Sequence, residues 1–570
     1  MPTNPKADRN LRRPPTPAPR LTALASLAAT LILTASGLAR ATTINAKSAS
    51  QTDVAAAIAS AADGDTVALP AGTFTWTSGV TITKAITLQG AGIGNTIIID
   101  ANNNSGEAAI DIYFPSLVAN KLTRLTGIEI RDGGRINTGI GGVIKAVGSN
   151  TNGSRFRMDH CKMNNVKGMT VMDTIIGVID HNTFLCSTDH ELAVVPYANH
   201  WNGPHGHYGD GSWSDATNFG TDRFLFLEDN IWEQNGPAPR VPGATDAYAG
   251  ARFVARYNRL KDCTFETHGT ESNSRPRGTR AVEVYNNTFS GTDRNRFLGG
   301  MRSGVGLWHD NTVSGYWTGS TIIALEAYRA LCNFDPWGGV DGTNPWDKNS
   351  GPYYAGTAAS GGSLTVTVSG NPWTDHQWES GYVIRKDVGG SNSGGYSPIL
   401  SNKSNTITFK SNPFGPSLNF APGEAFHIYK TERALDQPGV AKGALLQNAW
   451  PARVFPTWND QITEPCYSWN NIAGGTQNIG FVANEPFIRA REHFFNDTPM
   501  PGYTPYVYPH PLVNGGALPL LPSPAATRTS QRKPWGKKAR KTKELKRKSA
   551  EKAKQNPANE KAESQEKLGN

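Results

Sequence analysis

The sequence predicts an all-β protein built as a parallel β-helix, and two features support this prediction. Short runs of β-branched and aromatic residues, separated by glycine, follow one another from Thr66 to Asp100 with no helical segment between them. Further along, a phrase of alternating bulky residues that ends in Asn recurs about every 25 residues. A repeat of this length indicates stacked units, and strand-only units stack as a parallel β-helix.

The repeated phrase ends in a polar pair whose last member lies at positions 161, 182, 230, 258, 287 and 311. The steps are 21, 48, 28, 29 and 24 residues, so one step is doubled. Cys161 replaces Asn in the first copy, and Asn471 ends a later copy. Asn tolerates the left-handed conformation of a sharp corner, and its amide can bond to the next Asn in a stack. We therefore predict a ladder of stacked asparagines at one corner of the coil.

The chain is predicted to have five parts. A short amphipathic helix over residues 52–62 is expected to open the β-helix. A later segment of alternating residues with Gly, Asn and Pro turns is typical of an inserted antiparallel module. The predicted parts are a signal peptide at 1–41, a β-helix at 42–354, the inserted antiparallel β module at 355–432, a return to the β-helix with a closing segment at 433–524, and a disordered Lys-rich tail at 525–570.

Basic charge is concentrated at the two ends of the chain. Residues 1–41 hold 6 basic and 1 acidic side chains and residues 528–570 hold 15 and 5, so the part between them has a net charge of −6. The first basic block precedes an apolar run from Leu21 to Leu38, which is the pattern of a secretory signal. No later apolar stretch approaches the roughly 20 residues of a membrane span.

We therefore expect a secreted or periplasmic monomer with no membrane span and no specific nucleic-acid partner. The basic tail is a candidate contact for anionic surfaces. The five cysteines match no zinc-binding spacing and are expected to be buried thiols, although one disulfide bridge is possible.

Two segments carry a family resemblance. Residues 61–74 (AADGDTVALPAGTF) and 86–92 (ITLQGAG) resemble the capping turns of the pectate-lyase-like right-handed parallel β-helix superfamily. With the Asn corners, the resemblance covers about residues 45–330 and 460–515, and residues 501–512 resemble the tail of secreted members. The resemblance implies coils of three strands, with the Asn corner between the second and third. It also implies a saccharide cleft along the first strand and the loop after it.

Two long loops in adjacent coils follow predicted first strands. The doubled step indicates an insertion of about 23 residues between Tyr197 and Arg223, and the next long loop lies between Thr267 and Arg280. Neighbouring coils stack about 4.8 Å apart, so we expect these loops to share one surface. Candidate substrate-binding residues are Tyr197, Trp201, Trp213 and Arg280, and a His-x-His pair with a nearby acid suggests a metal site at His205, His207 and Asp210.

The second loop supplies the candidate catalytic residues His268, Glu271, Arg275 and Arg277. Cleaving a uronate-containing polysaccharide by β-elimination needs a base and cationic groups that stabilise an enolate-like intermediate. His268 would be the base, and Arg275 and Arg277, which resemble in part the Arg-Pro motifs of the superfamily, would bind the carboxylate. A divalent cation such as Ca²⁺ is a candidate cofactor. The partner would be an acidic polysaccharide.

Other interpretations remain open at this point. A glycoside hydrolase would use a carboxylate pair, for which Glu266, Glu271 and Asp210 are candidates. A polysaccharide-binding or surface protein without catalysis would use tryptophan platforms, for which the candidates are Trp201, Trp213, Trp308 and Trp317. Arg223 and Arg280 each lie seven residues before an Asn corner, so a structural ladder of stacked arginines at the start of the second strand is an alternative role for both.

Overall fold

The computed structural model describes residues 41–515 except for 105–106, 114–121, 136–141, 149–154, 187–193, 198–215, 236–242, 271–276, 295–297, 318–322, 328–351, 380, 389–394, 411–417, 442–461, 476, 484 and 486. The predicted signal peptide up to residue 40 and the predicted tail lie outside the described residues.

Three parallel sheets form a parallel β-helix, so the predicted fold class is confirmed. A typical coil runs through Thr170–Asp173, Ile176–Asp180 and Thr183–Cys186, one strand for each sheet. We number the sheets 1, 2 and 3 in this order along the coil. Strands of neighbouring coils pair in register, as in Val178 opposite Phe226.

The strands of each sheet are given in stacking order. Sheet 1 contains Val80–Ile82, Ile110–Tyr113, Ile144–Val147, Thr170–Asp173, Val194–Tyr197, Gly243–Ala247, Thr264–Thr267, Gly299–Met301, Ile323–Leu325 and Phe481–Ala483. Sheet 2 contains Thr43–Asn45, Thr66–Ala68, Thr87–Gln89, Thr123–Thr126, Arg155–Asp159, Ile176–Asp180, Leu225–Glu228, Arg252–Arg256, Ala281–Tyr285, Val305–His309, Cys466–Trp469 and Phe494–Phe495. Sheet 3 contains Gly72–Trp76, Thr96–Asp100, Glu129–Asp132, Lys162–Asn164, Thr183–Cys186, Ile231–Gln234, Arg259–Lys261, Thr288–Arg294, Thr312–Trp317, Ile472–Ala473 and Gln477–Asn478, the last of which is antiparallel to its neighbour.

The core fills the interior of the coils with apolar side chains from all three sheets. Phe184 and Trp232 stack across neighbouring coils with ring centroids 4.9 Å apart. The α-helix Gln51–Ser60 contributes Val54 and Ile58 to this core, and the Ser50 side chain accepts a hydrogen bond from the backbone of its first turn. The helix packs against the first strands, where a short amphipathic helix was expected.

The predicted asparagine ladder is present at the corner between sheets 2 and 3. Each Nδ2 group donates to the Oδ1 atom of the next Asn, at distances of 2.8 to 3.2 Å, along the series Asn182, Asn230, Asn258, Asn287, Asn311 and Asn471. The left-handed conformation, however, belongs to the residue before each of these asparagines, for example Asp229 with φ 57° and Tyr257 with φ 58°. The expectation that Asn itself adopts this conformation is wrong, because the corner turns one residue earlier and directs Asn inward.

The closing strap, residues 501–515, lies across the outer face of sheet 2 and ends in the 3₁₀ helix Pro511–Asn514. Arg256 donates to the carbonyl oxygens of Tyr506 and Val507 at 2.6 and 2.8 Å. The His510 backbone amide donates to Oε1 of Glu228 at 2.7 Å. Charged side chains that point away from the core are therefore buried beneath the strap.

The inserted module is a seven-stranded antiparallel sheet with its own apolar core. Its strands, in spatial order, are Tyr354–Thr357, Ala425–Lys430, Tyr382–Lys386, Tyr396–Asn402, Thr406–Phe409, Thr365–Thr367 and Ser360–Gly361. Val440–Ala441 and Ile462–Thr463 form a separate two-stranded sheet. The coil resumes when Cys466–Trp469 pairs in parallel with Val305–His309.

Two further expectations can be compared with the described residues. Within them, no helix is long and apolar enough to cross a membrane. The four cysteines in this part of the chain, Cys161, Cys186, Cys263 and Cys466, are buried and unbridged, as expected for buried thiols.

Candidate functional site

A polar cluster lies on the outer face of sheet 1, where two rows of side chains run across neighbouring coils. Asp246 and Glu266 are direct cross-strand partners in the first row. In the second row, His268 follows the strand Thr264–Thr267 and Arg302 follows the strand Gly299–Met301, and these strands pair in register. We call Asp246, Glu266, His268 and Arg302 the sheet 1 cluster.

His268 is held between a carboxylate and a guanidinium group. Its Nε2 atom pairs with Oδ1 of Asp246, and its Nδ1 atom lies 3.1 Å from Nη1 of Arg302. An arginine can only donate, so Nδ1 accepts the hydrogen bond and the proton of the neutral ring lies on Nε2, facing Asp246. The contacts therefore assign His268 as an imidazole whose lone pair points toward Arg302.

Glu266 completes the cluster on the other side of Arg302. Nη2 of Arg302 lies 3.5 Å from Oε2 of Glu266, and Thr264 donates from its hydroxyl to Oε1 at 3.1 Å. The side chains of Asp246 and Glu266 are 18% and 28% exposed, against 7% for His268 and 12% for Arg302. The carboxylates are thus the more exposed groups of the cluster, whereas the imidazole and the guanidinium lie deeper.

Two tyrosines continue the second row beside His268. The rings of Tyr197 and Tyr248 have centroids 4.8 Å apart, and Tyr248 makes an edge-to-face contact with His268 at 6.4 Å. Tyr197, which is predicted to bind substrate, is half-buried, whereas Tyr248 is buried. Tyr197 is therefore the partly exposed aromatic side chain beside the acid-base cluster, and Tyr248 supports it from below.

Two predicted site residues form buried ion pairs. Arg277 is fully buried, with Nε 2.7 Å from Oδ2 of Asp436 and Nη2 3.0 Å from Oδ1. Arg280 is also fully buried, and its Nη2 lies 2.8 Å from Oε2 of Glu464. Both guanidinium groups therefore have carboxylates of this chain as partners. Their predicted roles in binding a substrate carboxylate stay predictions, and neither side chain is exposed to solvent in the structure.

Two alternative roles named from the sequence are corrected. The strand register places Ala251 between Arg223 and Arg280, so these arginines do not form a continuous stacked ladder. Trp308 is 1% exposed and lies in the core, so it cannot serve as a sugar platform. The remaining predicted site residues lie outside the described residues: Trp201, His205, His207, Asp210, Trp213, Glu271 and Arg275.

Asp246, Arg302 and Tyr248 were not predicted from the sequence. All three lie on or just after first strands of the coil, and these strands carry no recurring phrase. Counting back from each Asn corner to the first strand of the same coil could have aligned these residues with His268. Among the described residues, no group of three or more His, Cys, Asp or Glu side chains is arranged to hold a metal ion.

Comparison with known proteins gives little further information. No family model matches the chain, and no curated protein matches it. One similar solved structure is ORF18 of Geobacillus virus E2, with 15% identity, coverage of 65% of this chain and 76% of that chain, and a TM-score of 0.26. Another is the A-module of the mannuronan C-5 epimerase AlgE6 of Azotobacter vinelandii, with 16% identity, coverage of 46% and 90%, and a TM-score of 0.20. TM-scores this low carry no argument about this chain.

Proposed function

We propose that the protein is a secreted polysaccharide lyase that cleaves a uronate-containing polysaccharide by β-elimination at the sheet 1 cluster. The observation that supports this proposal is the pair of contacts that His268 makes with Asp246 and Arg302 on a partly exposed face. A base and a carboxylate-binding cation in direct contact are the two groups that the reaction needs.

In the proposed reaction, the uronate carboxylate binds the guanidinium of Arg302 through paired hydrogen bonds. This interaction draws Arg302 away from Nδ1 of His268, whose lone pair then takes the proton from C5 of the sugar. The electrons of the C5–H bond form the C4–C5 double bond, the C4–O bond breaks, and the departing oxygen takes a proton from solvent. Arg302 stabilises the enolate-like charge, while Asp246 stabilises the imidazolium ion.

A glycoside hydrolase is the second candidate, because Asp246 and Glu266 are cross-strand neighbours on the same face. Neighbouring strands lie about 4.8 Å apart. Carboxyl groups on such neighbours can approach the separation of roughly 5 Å that retaining glycosidases use. Both reactions would use the same surface, and their products distinguish them.

The test is a panel of polysaccharides that includes polygalacturonate, alginate and other uronates. A lyase produces an unsaturated sugar with ultraviolet absorbance, and a hydrolase produces reducing ends without that absorbance. Binding with neither product would indicate a polysaccharide-binding protein and would contradict the proposal.

We expect His268→Ala to lower the lyase rate by about 10²–10⁴-fold, as for the loss of a general base. Arg302→Lys keeps the charge but loses the paired hydrogen bonds, so KM should rise. The matched control is His376→Asn, which removes an exposed imidazole of the inserted module and should leave the rate unchanged. Full activity in His268→Ala would exclude this histidine as the base.

A further inference from the structure

Two stacked histidines lie at the corner between sheets 2 and 3, away from the outer face of sheet 1. His160 and His181 occupy equivalent positions in neighbouring coils, both with left-handed backbone at φ 50° and 55°. Their ring centroids are 5.3 Å apart and their planes differ by 8°. The two side chains are 59% and 44% exposed, so a solute can reach both rings.

Buried carboxylates bind the Nδ1 atoms of both rings. Nδ1 of His160 lies 2.8 Å from Oδ2 of Asp159, and Nδ1 of His181 lies 2.9 Å from Oδ2 of Asp180. Both carboxylates are fully buried and also accept hydrogen bonds from arginines of sheet 2. An imidazole that donates from Nδ1 to a carboxylate keeps its lone pair on Nε2, which is how proteins orient metal-binding histidines.

We propose that His160 and His181 form a surface site for a divalent transition-metal ion such as Zn²⁺, Ni²⁺ or Cu²⁺. The two Nε2 atoms bind the ion and water completes its coordination. Imidazole nitrogen suits these ions, whereas Ca²⁺ and Mg²⁺ require mainly oxygen ligands.

An ion can bind both rings after the side chains rotate. Metal–nitrogen bonds of about 2.1 Å allow at most about 4.2 Å between the two nitrogen atoms, and the lone pairs of parallel rings do not converge, so both rings must turn toward each other. Both side chains are exposed, so rotation about their own bonds can bring the Nε2 atoms together without any change in the backbone.

The neighbouring position on the same corner favours a cation. Asp229 is the next residue in the row, one coil beyond His181, and its Oδ1 atom accepts a hydrogen bond from the Tyr508 hydroxyl at 2.8 Å. Its charge adds to the negative potential near the two rings. By contrast, His376 on the inserted module has a carboxylate partner, Glu379, at 2.6 Å but no stacked imidazole. His376 therefore provides a matched single-histidine control.

The test is a Cu²⁺ titration of the metal-free full-length protein, followed by electron paramagnetic resonance. The wild type should show one ion with two nitrogen ligands. His160→Asn and His181→Asn should each weaken binding by about tenfold or more, at least the effect of losing an outer-shell partner. Asn is the chosen replacement because it accepts the left-handed backbone, and circular dichroism would verify the fold. His376→Asn should bind Cu²⁺ as the wild type does.

A second pair of variants separates this site from the metal site predicted at 205–210. The double variant His205→Asn/His207→Asn should keep the two-nitrogen signal of the corner. A two-nitrogen signal that is lost in His205→Asn/His207→Asn and kept in both corner variants would place the ion in the loop and would overturn the proposal. A wild type without a two-nitrogen signal, or a signal and affinity that survive both His160→Asn and His181→Asn, would overturn it.

Discussion

Single asparagine side chains connect each coil of this molecule to the next. Asn287 donates from Nδ2 to Oδ1 of Asn311 at 3.0 Å, and its own Oδ1 accepts from the Nδ2 and backbone amide groups of Asn258 at 2.9 and 3.0 Å. Asn287 is 1% exposed, so water cannot replace these partners. Each rung thereby satisfies buried donors and acceptors that the corner itself leaves unpaired.

Asn287→Ala should lower the free energy of unfolding by about 3 kcal/mol, because it removes the acceptor of the buried Asn258 backbone amide and the Nδ2 donor to the carbonyl groups of Ala255 and Tyr285. The control is Asn286→Gly at the adjacent position. The backbone of Asn286 has φ 54°, which Gly adopts readily, so the free energy of unfolding should change by less than about 1 kcal/mol. Urea unfolding followed by circular dichroism measures both. Equal effects of the two variants would contradict a specific role of the ladder.

The sequence predicted the residues of this ladder but not the partners of His268. The Asn phrase recurs because every coil has the same inward-facing corner position, and a pattern of this kind is visible in a single sequence. The left-handed position varies among His, Asp, Tyr and Asn, so it leaves no comparable pattern. Asp246 and Arg302 lie in different coils from His268, and only the register of sheet 1 brings them together.

The closing strap determines which outer face of the β-helix is covered. The Tyr503 hydroxyl donates to Oε2 of Glu283, and the Gly220 amide donates to Oε1 at 2.9 Å. These contacts join residues far apart in the chain, so no local pattern in residues 501–515 predicts them. The sequence predicted a closing segment at this position, but not the charged side chains buried beneath it.

Burial raises the pKa of Glu283 to about 7, from 4.5 for an ordinary Glu. The folded protein therefore keeps a proton that the unfolded chain has lost, and stability should fall as the pH rises from about 4.5 to about 7. Over this pH range, Glu283 should lower the free energy of unfolding by on the order of 3 kcal/mol. In Glu283→Gln the amide can donate to the Tyr503 hydroxyl oxygen while its carbonyl accepts from Gly220, so this loss should be absent.

Urea unfolding of both proteins at pH 4.5, 6 and 7.5 would show how steeply the free energy of unfolding of each protein falls with pH. Burial also raises the pKa of Glu485 to about 7, but this group is present in both proteins and cancels in the comparison. Parallel pH profiles for the wild type and Glu283→Gln would show that Glu283 is not protonated in the folded protein.

At the scale of the whole molecule, the β-helix accommodates an antiparallel module between two of its coils. The two core clusters consist of separate sets of side chains. The module begins and ends side by side, because Tyr354 pairs with Ile428 and the Tyr353 amide donates to the Ile428 carbonyl oxygen at 2.8 Å. Insertion at such a point leaves the stacking of the flanking coils in register, as shown by the pairing of Ile323 with Phe481.

Replacing residues 353–430 with a short Gly-Ser linker should therefore leave the β-helix folded, since the linker spans only the distance between neighbouring strands. The ion pairs of Arg277 with Asp436 and of Arg280 with Glu464 involve residues outside the deleted segment, so they remain. We expect a circular dichroism spectrum typical of β-sheet and a cooperative thermal transition within a few degrees of the wild type. The rate of the proposed reaction should be unchanged. The excised module, expressed alone, should fold around its own core. An aggregated deletion variant together with an unfolded module would show that the two parts depend on each other for stability.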